Sequence, residues 1–310
     1  MDASIIICTY NRSKSLKRTL SSIASMNYPI NRTWEVIVID NNSSDGTKSV
    51  VEEFSRRCEQ DVIYLYERTQ GKSFALNRGA EAARGEILAF TDDDVLVHAD
   101  WLKNILRIFK ETDASCLGGK ILLEWDVSRP EWLGRFLVDQ LGYLDLGEER
   151  FRLSISKIYG ANFAVRSGII RKHGGFDTQA GPIAGKMYTG EDTFFIEKLI
   201  QAQEIVLYSP DIIVHHCIPE SHVQKTYFLK RMFDQGEYSG IQMGSYQQRN
   251  LFGIPFYMYK DLLLKFLQSI MKLTSHPSEA FKKQIELAMC LGTMKGRRKF
   301  MKSKTGILIA

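Results

Sequence analysis

Cysteines are few in this 310-residue sequence, and none stands close to another. The five are Cys8, Cys58, Cys116, Cys217 and Cys290. An odd number at such wide spacing excludes a disulfide framework and a zinc site built from paired cysteines. This cysteine usage favours a reducing cytoplasm, where thiols stay free.

Long apolar runs are also missing. The opening run, Ser4 to Cys8, is too short for the apolar centre of a signal peptide. Charged side chains at positions 260, 261, 265 and 272 break the most apolar late segment. We therefore expect no membrane-spanning helix.

Acidic side chains are scarce toward the C-terminus. Residues 221–310 carry 15 Lys and Arg against 5 Asp and Glu, a balance of +10, whereas residues 1–220 carry 26 against 31. Such a basic region suits anionic lipid headgroups, so we expect a cytoplasmic protein that is peripheral on the inner face of the plasma membrane. No nucleic-acid-binding motif accompanies the charge, and nucleic acid is not an expected partner.

What is present is an alternation of strand-like and helix-like segments. Apolar runs at 4–8, 34–39, 62–66 and 87–90 predict strands, with helical spacing between them. This alternation predicts an α/β fold with right-handed crossovers in a doubly wound, mostly parallel sheet flanked by helices. Further strands are expected at 115–123, 157–165, 205–208 and 212–214.

Asp92, Asp93 and Asp94 end the strand 87–90. A buried strand cannot carry three ionised groups inward, so they must lie at its carboxyl edge, where open α/β sheets bind ligands. Like charges in a row need a cation or hydrogen-bond donors, and a hard divalent metal prefers carboxylates plus phosphate oxygens. The alternative is an acidic loop that caps the helix starting near Asp100.

Two other polar motifs have two interpretations each, and a third motif is a break of small residues. Asp40 follows the second strand and is either a turn former or a ligand-binding group. His215 and His216 follow a strand and are either structural or a metal ligand. Gly160, in the run Gly160-Ala161-Asn162, marks a small-residue break where another molecule could approach the backbone.

Glu191 and Asp192 begin a helix directly after the glycine-containing loop 181–190, which we predict to be mobile. A carboxylate at a helix start is often only a cap favoured by the helix dipole. Two of them after a flexible loop instead indicate a positioned base with an orienting partner.

Two late segments also remain ambiguous. The aromatic residues between 125 and 151 form either a satellite core or a surface that stacks on a sugar or lipid acceptor. An amphipathic helix around 260–273 either packs on its own domain or binds anionic membrane.

Together, in this order and spacing, these motifs resemble the inverting bacterial glycosyltransferases of family 2, which have the GT-A fold. The resemblance covers roughly residues 4–236. Its carriers are Thr9-Tyr10-Asn11-Arg12, the run Asp40 to Thr47, Gly71-Lys72, Asn77-Arg78-Gly79, Asp92-Asp93-Asp94, Gly160-Ala161-Asn162, Gly175-Phe176-Asp177, Gly190-Glu191-Asp192 and His216 before Ile218-Pro219.

The resemblance implies a nucleotide-diphosphate sugar donor, most often a uridine one. It places a divalent cation, Mg²⁺ or Mn²⁺, on Asp94, Asp92 and His216, and makes Asp192 the catalytic base with Glu191 beside it. The implied donor-binding residues are Thr9, Tyr10, Asn11, Arg12, Asp40, Asn42, Lys72, Asn77, Asp92, Asp93 and Asn162.

A GT-A catalytic domain is then expected at 1–220, with a nucleotide-binding half to about 100 and an acceptor half beyond it. A helical appendage at 221–310 follows, and removal of the residues beyond about Phe252 should spare donor hydrolysis. Because no Gln-x-x-Arg-Trp sequence or membrane span follows the catalytic region, we expect addition of a single sugar to a glycan or lipid-linked acceptor in surface polysaccharide or glycolipid synthesis.

Two other functions fit part of the pattern. A sugar-nucleotide nucleotidyltransferase would share the fold and the metal carboxylates, but it should open with a glycine-rich, arginine-bearing loop after the first strand, unlike Thr9-Tyr10-Asn11-Arg12. A non-catalytic carbohydrate-binding protein would not need both acidic sites.

Overall fold

A computed structural model describes residues 1–27, 33–178, 180–181, 186–188, 190–243, 250–272 and 277–304, with backbone alone for 302–304. The strands are β1 Ala3–Thr9, β2 Trp34–Asp40, β3 Asp61–Tyr66, β4 Ile87–Asp92, β5 Val95–Val97, β6 Cys116–Trp125, β7 Phe151–Arg152, β8 Phe163–Arg166, β9 Val206–Ile218, β10 Asn250–Leu251 and β11 Ile254–Pro255. The helices are α1 Ser13–Ala24, α2 Thr47–Ser55, α3 Lys72–Ala82, α4 Trp101–Glu111, α5 Arg135–Asp139, α6 Ser167–His173, α7 Glu191–Gln201, α8 Lys225–Gln242, α9 Phe256–Met271 and α10 Pro277–Lys304.

The main sheet has the order β3-β2-β1-β4-β8-β6-β9-β5, and β7 pairs with β9. The first four strands are parallel. Since β2 and β3 lie on one side of β1 and β4 on the other, the strand order reverses beside β1, which is the point where α/β sheets bind ligands. The expected α/β fold with helices flanking the sheet is confirmed.

The second half of the sheet departs from the expected detail. β8 pairs antiparallel with both β4 and β6, and β5 and β7 pair antiparallel with β9. The strand expected at 157–165 is only the short β8. The two strands expected at 205–208 and 212–214 are one strand, β9, that continues through Pro210, because proline removes one hydrogen-bond donor without forcing the chain to turn.

Apolar side chains cover both faces of the sheet. One buried cluster joins Ile5 and Ile7 of β1 to α1 and to Trp101 of α4. The other joins Ile6 to α3 and to Phe195 of α7. The continuous apolar run of β1 is therefore buried on both sides, as its sequence predicted.

The chain forms two compact units. The first consists of Met1–Glu124, Gly142–Ala184 and Gly190–Cys217. The second consists of Trp125–Leu141, Gly185–Thr189 and Ile218–Ala310. The sequence predicts a single boundary between residues 220 and 221. Two segments before that boundary, Trp125–Leu141 and Gly185–Thr189, belong to the second unit.

Glycines bring α8 and α10 into backbone contact within the second unit. A Cβ added to Gly240 would lie 2.2 Å from the carbonyl oxygen of Thr293, and one added to Gly292 would lie 2.0 Å from that of Phe233. Trp132 packs edge-on against Phe228 and Phe281, with ring centroids 5.9 and 5.0 Å away. For Trp132, therefore, the satellite-core interpretation is the correct one.

None of the helices in the described part of the chain combines the length and the apolar composition that crossing a bilayer requires.

Candidate active site

Three parallel strands bring polar residues together at one edge of the sheet. In the register of the sheet, Thr9 of β1 is opposite Asp40 of β2, and Cys8 is opposite Asp92 of β4. The carboxyl ends of these strands therefore place the motifs around Thr9, Asp40 and Asp92 side by side. Every predicted site residue lies in the first unit.

Asp40 is buried and holds its own loop. One carboxylate oxygen accepts a hydrogen bond from the backbone N–H of Ser43 at 2.8 Å, and the other accepts one from the hydroxyl of Tyr64 at 2.7 Å. Asn11 and Asn42 have left-handed backbones, with φ of 52° and 70°. Asn11 Oδ1 accepts from the N–H of Ser44 at 2.8 Å, so the loops after β1 and β2 support each other.

Sequence analysis did not select Asn41, yet its side chain organises the next loop. Its Nδ2 donates to the carbonyl of Thr69 at 2.7 Å, and its Oδ1 accepts from the N–H of Gly71 at 2.9 Å. These bonds fix the start of α3, where Lys72 stands. The available signal was its position directly after β2 at the same sheet edge as Asp92.

Arg12 bridges two carboxylates of the aspartate cluster. Its Nη1 lies 3.0 Å from Asp93 Oδ1 and 2.7 Å from Asp94 Oδ2. Burial raises the pKa of Asp93 to about 6, Arg12 opposes that rise, and the neighbouring Asp94 adds to it. The cluster is thus a partly desolvated group of carboxylates that the Arg12 guanidinium stabilises.

His216 faces Asp94. Its Nε2 lies 3.4 Å from Asp94 Oδ1. The register of β5 with β9 puts His216 opposite Val95, and the N–H of Cys217 donates to the carbonyl of Asp94 at 2.8 Å. Because side chains alternate along a strand, His215 points to the other face of β9.

Lys72 connects the aspartate cluster to the start of α7. Its Nζ lies 2.7 Å from Asp92 Oδ1 and 3.3 Å from Glu191 Oε1. Burial lowers the pKa of Lys72, but Asp92, Glu191 and Asp192 outweigh it and raise the pKa well above the ordinary value. Lys72 is therefore a fixed positive charge between the two acidic motifs.

Glu191 and Asp192 have different surroundings. Glu191 is buried, and burial raises its pKa against the opposing charge of Lys72. Asp192 is partly exposed; its Oδ2 accepts from the N–H of Gly160 and its Oδ1 from the N–H of Thr193 at 2.7 Å. A Cβ on Gly160 would lie 3.1 Å from Asp192 Oδ2 and 3.2 Å from Lys72 Nζ. The small-residue break at Gly160 thus makes room for these two side chains.

Two predicted donor-binding residues have structural contacts instead. Asn162 is fully buried; its Oδ1 accepts from Trp101 Nε1 at 2.8 Å, and its Nδ2 donates to the carbonyls of Lys120 and Ile212. Both side-chain groups of Asn77 bond the backbone of Phe176 at 2.8 Å. Donor binding by these two asparagines stays a prediction, and in this structure their polar groups bond other parts of the protein.

The prediction of a mobile loop at 181–190 falls mainly on residues 182–185 and 189, which lie outside the described residues. Among its described residues, Gly181 leaves room for Glu191, because a Cβ added there would lie 2.9 Å from Glu191 Oε2. Lys186 Nζ lies 3.0 Å from Asp234 and 2.8 Å from Glu237.

The side chains near Asp94 suit a metal cation that takes most of its ligands from substrate phosphates and water. Within the described ranges, no three His, Cys, Asp or Glu side chains gather in a way that could hold a metal by themselves. Asp94 and His216 instead supply a carboxylate oxygen and an imidazole nitrogen close to each other. Mg²⁺ is commonly bound through one or two carboxylates, with substrate phosphates and water as its other ligands.

A match to a known protein family covers more than half of the chain. The sequence model of glycosyl transferase family 2 matches residues 4–174, which include the strand edge and the aspartate cluster. The chain belongs to glycosyl transferase family 2.

Relatives in the family match along most of the chain. The glucosyl-dolichyl phosphate glucuronosyltransferase of Haloferax volcanii is 25% identical over 295 residues, which cover 92% of this chain and 91% of that protein. The succinoglycan biosynthesis protein ExoM of Rhizobium meliloti is 29% identical over 244 residues, 76% of this chain and 72% of ExoM.

Solved structures share the GT-A-like fold of this glycosyltransferase. The mannosyltransferase PcManGT from Pyrobaculum calidifontis, in complex with GDP-Man and Mn²⁺, superposes with a TM-score of 0.61 at 18% identity, covering 93% of this chain and 85% of that one. TarS from S. aureus with UDP-GlcNAc gives a TM-score of 0.54 at 16% identity, covering 99% and 92%.

Proposed function

We propose that this glycosyltransferase transfers a single sugar, with inversion, from a nucleotide-diphosphate sugar to a hydroxyl of a glycan or lipid-linked acceptor. The donor is uridine-linked, and the product belongs to cell-surface polysaccharide or glycolipid. Membership of family 2 supports the reaction class. The relatives named for succinoglycan biosynthesis and for transfer to a dolichyl phosphate glycan support the acceptor class.

One observation carries the proposal: two acidic motifs far apart in sequence share one strand edge, with Lys72 between them. The ammonium group of Lys72 lies 2.7 Å from Asp92 Oδ1 and 3.3 Å from Glu191 Oε1. An anionic leaving group beside Asp94 and a hydroxyl nucleophile beside Asp192 can then occupy neighbouring positions.

On the donor side, Asp94 and His216 would hold the divalent cation, Mg²⁺ or Mn²⁺, which when bound neutralises the charge that develops on the diphosphate leaving group. We assign base and ribose binding to Thr9, Tyr10 and Asp40. Asn11 and Asn42 fix the loops around them, and Arg12, Lys72, Asp92 and Asp93 set the charge of the pocket.

On the acceptor side, Asp192 is the general base. The N–H groups of Gly160 and Thr193 donate to the two oxygens of its carboxylate and hold the side chain in place. A hydroxyl has a pKa far above neutrality, so a carboxylate within hydrogen-bond reach must take its proton as it attacks the anomeric carbon. The diphosphate leaves from the opposite side, and a single displacement inverts the anomeric configuration.

We also propose that the enzyme acts as a peripheral protein on the cytoplasmic face of the plasma membrane. The +10 charge balance of residues 221–310 supports attraction to anionic lipids. A lipid-linked acceptor would be presented at that same surface.

A panel of nucleotide sugars tests the reaction. The purified protein is incubated with UDP-, GDP- and dTDP-linked sugars and Mg²⁺, Mn²⁺ or EDTA, and release of the nucleoside diphosphate is measured. We expect release from one UDP-sugar with a divalent cation and none with EDTA. Formation of nucleotide sugar from sugar phosphate and nucleoside triphosphate would instead favour a nucleotidyltransferase, and binding of sugar without turnover would favour a carbohydrate-binding protein.

A further inference from the structure

Helix α9 exposes an apolar face. Six side chains on it, Phe256, Leu263, Phe266, Leu267, Ile270 and Met271, are between 47% and 76% exposed. At 100° per residue they fall on one side of the helix, together with Lys260. Solvated helices in globular proteins normally expose the opposite, polar face.

The polar side of α9 faces the protein instead. Ser269 is buried, and Asp261 accepts a hydrogen bond from Cys290 Sγ of α10 at 3.7 Å and pairs with Lys265 at 3.3 Å. Met258 is the apolar anchor on this side, where it packs with Cys290 and Met294. Packing within the second unit therefore fixes α9 while leaving most of its large apolar side chains in water.

The hairpin before α9 adds an aromatic residue at its tip. β10 and β11 pair antiparallel, and the turn between them consists of Phe252 and Gly253 with φ of 54° and 80°. Phe252 is 77% exposed. A bulky residue in the left-handed region that also leaves its ring in water is costly for an isolated protein, and such outliers concentrate at functional positions.

The lysines near the exposed apolar face of α9 indicate which kind of partner binds there. Lys260 lies within the apolar stripe, and exposed Lys272 stands at the end of the helix. The region 221–310 to which they belong has a balance of +10. Lysines whose stems lie along an apolar surface while their ammonium groups reach outward match an anionic headgroup layer over acyl chains.

We propose that α9 and the Phe252 hairpin dock on an anionic phospholipid membrane, with α9 lying in the headgroup layer and its apolar face toward the acyl chains. A helix of this length spans about 24 Å along its axis and is suited to lying in the plane of the interface. Docking would bring the active site to a lipid-linked acceptor, and only this role of the membrane contact rests on the proposed function. A second copy of the chain is the competing occupant, but exposed lysine within the stripe disfavours a self-complementary apolar contact.

Flotation with lipid vesicles tests the inference. The full chain and the variant F266E/I270E are mixed with vesicles of phosphatidylcholine, with and without phosphatidylglycerol. We expect the full chain to float with the anionic vesicles and the variant to bind at least tenfold more weakly. Ile155→Glu is the matched control, because Ile155 is also an exposed apolar residue, at 59%, but lies in the first unit.

A second variant, K260Q/K272Q, separates charge from insertion. It should weaken binding to anionic vesicles mainly at low salt, whereas F266E/I270E should weaken it at all salt concentrations. Equal flotation of F266E/I270E and the full chain would overturn the proposal. So would a dimer by analytical ultracentrifugation that F266E/I270E converts to a monomer, with no flotation of either protein.

Donor hydrolysis is measured in parallel. F266E/I270E should release nucleoside diphosphate at the rate of the full chain, because neither residue contributes to the site. If the full chain floats but hydrolyses no nucleotide sugar, the proposed reaction fails while the membrane surface stands.

Discussion

At the scale of single residues, the charge of the site depends on where two strands end, because Asp40 is the last residue of β2 and Asp92 is the last residue of β4. Asp92 and Asp94 could be assigned to the carboxyl edge of β4 from the buried run before them, and Asp40 to that of β2. The hydrogen bonds that Asn162 and Asn77 make could not be predicted. An asparagine after a strand or within a helix gives the same sequence signal whether it faces a ligand or bonds buried backbone groups, and here both bond protein.

Asp94 is expected to be essential for cation-dependent donor binding. Asp94→Ala removes the carboxylate beside His216, so calorimetry with donor and Mn²⁺ should show loss of the cation effect, and transfer should nearly vanish. The fold should survive, because Arg12 keeps its contact with Asp93. Asp113→Ala, at an exposed position before β6, is the control and should behave as wild type. Donor binding by Asp94→Ala that still responds to Mn²⁺ would remove Asp94 from the site.

Asp192 and Glu191 should respond differently to loss of charge. Asp192→Asn keeps the size of the side chain and one of its two accepted N–H bonds. Because it cannot take a proton, kcat should fall by roughly 100-fold or more with little change in donor affinity. Glu191→Gln should cost much less, because Glu191 is buried against Lys72 rather than open to an acceptor. Steady-state kinetics at saturating donor and acceptor would measure both. A larger loss of kcat for Glu191→Gln would reverse the assignment.

Glu204 is expected to make the fold sensitive to acid. Hydrogen bonds from Lys172, Ser115 and His173 lower its pKa to about 2 from 4.5. A carboxyl whose pKa is lower in the folded state stabilises the fold above its unfolded pKa, and this stability is lost as the pH falls toward the folded value. Glu204→Gln should therefore cost about 1–2 kcal/mol at pH 7, a range that allows for the solvent exposure of Lys172.

Urea unfolding at several pH values would measure this effect. The difference in free energy of unfolding between wild type and Glu204→Gln should shrink as the pH falls from about 5 to about 2. Glu149→Gln, at an exposed position, should show no difference at any pH. A pH-independent cost of Glu204→Gln would assign its role to packing instead of charge.

At the scale of elements, parallel strands and their helices were predictable because local periodicity encodes them. The antiparallel pairing of β8 and the continuity of β9 were not, because partners distant in sequence decide them. The same holds for Lys186, which sequence analysis did not select. It lies six residues before Asp192 and is fixed by Asp234 and Glu237 of α8. Met187 N–H also donates to Asp234 at 3.2 Å.

Lys186 is therefore expected to position the chain that leads into α7. Lys186→Met should lower kcat several-fold through a less ordered Asp192, while KM for the donor changes little. Lys230→Met is the matched control, since Lys230 also pairs with Asp234, at 2.7 Å, but lies on α8 itself. Kinetics of both variants would check this. Equal effects of the two substitutions would indicate that only the stability of α8 matters.

At the scale of the whole molecule, the uneven distribution of charge along the chain could be predicted from the sequence. Which segments form each of the two compact units could not. Segments 125–141 and 186–188 are far from α8 and α10 in sequence, and only the folded chain brings them into one unit with those helices. Linear composition contains no signal for such contacts. The expectation that residues beyond about Phe252 can be removed without loss of donor hydrolysis follows from sequence alone. Such a truncation would remove α9 and α10, and α10 packs closely against α8 within the second unit.

A chain ending at residue 220 should be unstable and inactive. It lacks Phe228 and Phe281, against which Trp132 packs, and Asp234 and Glu237, which hold Lys186. We expect its Tm to fall by at least about 5 °C, since several buried contacts are lost, and donor hydrolysis to fall with it. A chain ending at residue 304 is the control and should retain both properties. Scanning calorimetry and nucleoside diphosphate release would compare the three lengths, and wild-type Tm and hydrolysis in the chain ending at 220 would restore the simple division into a catalytic domain and a dispensable tail.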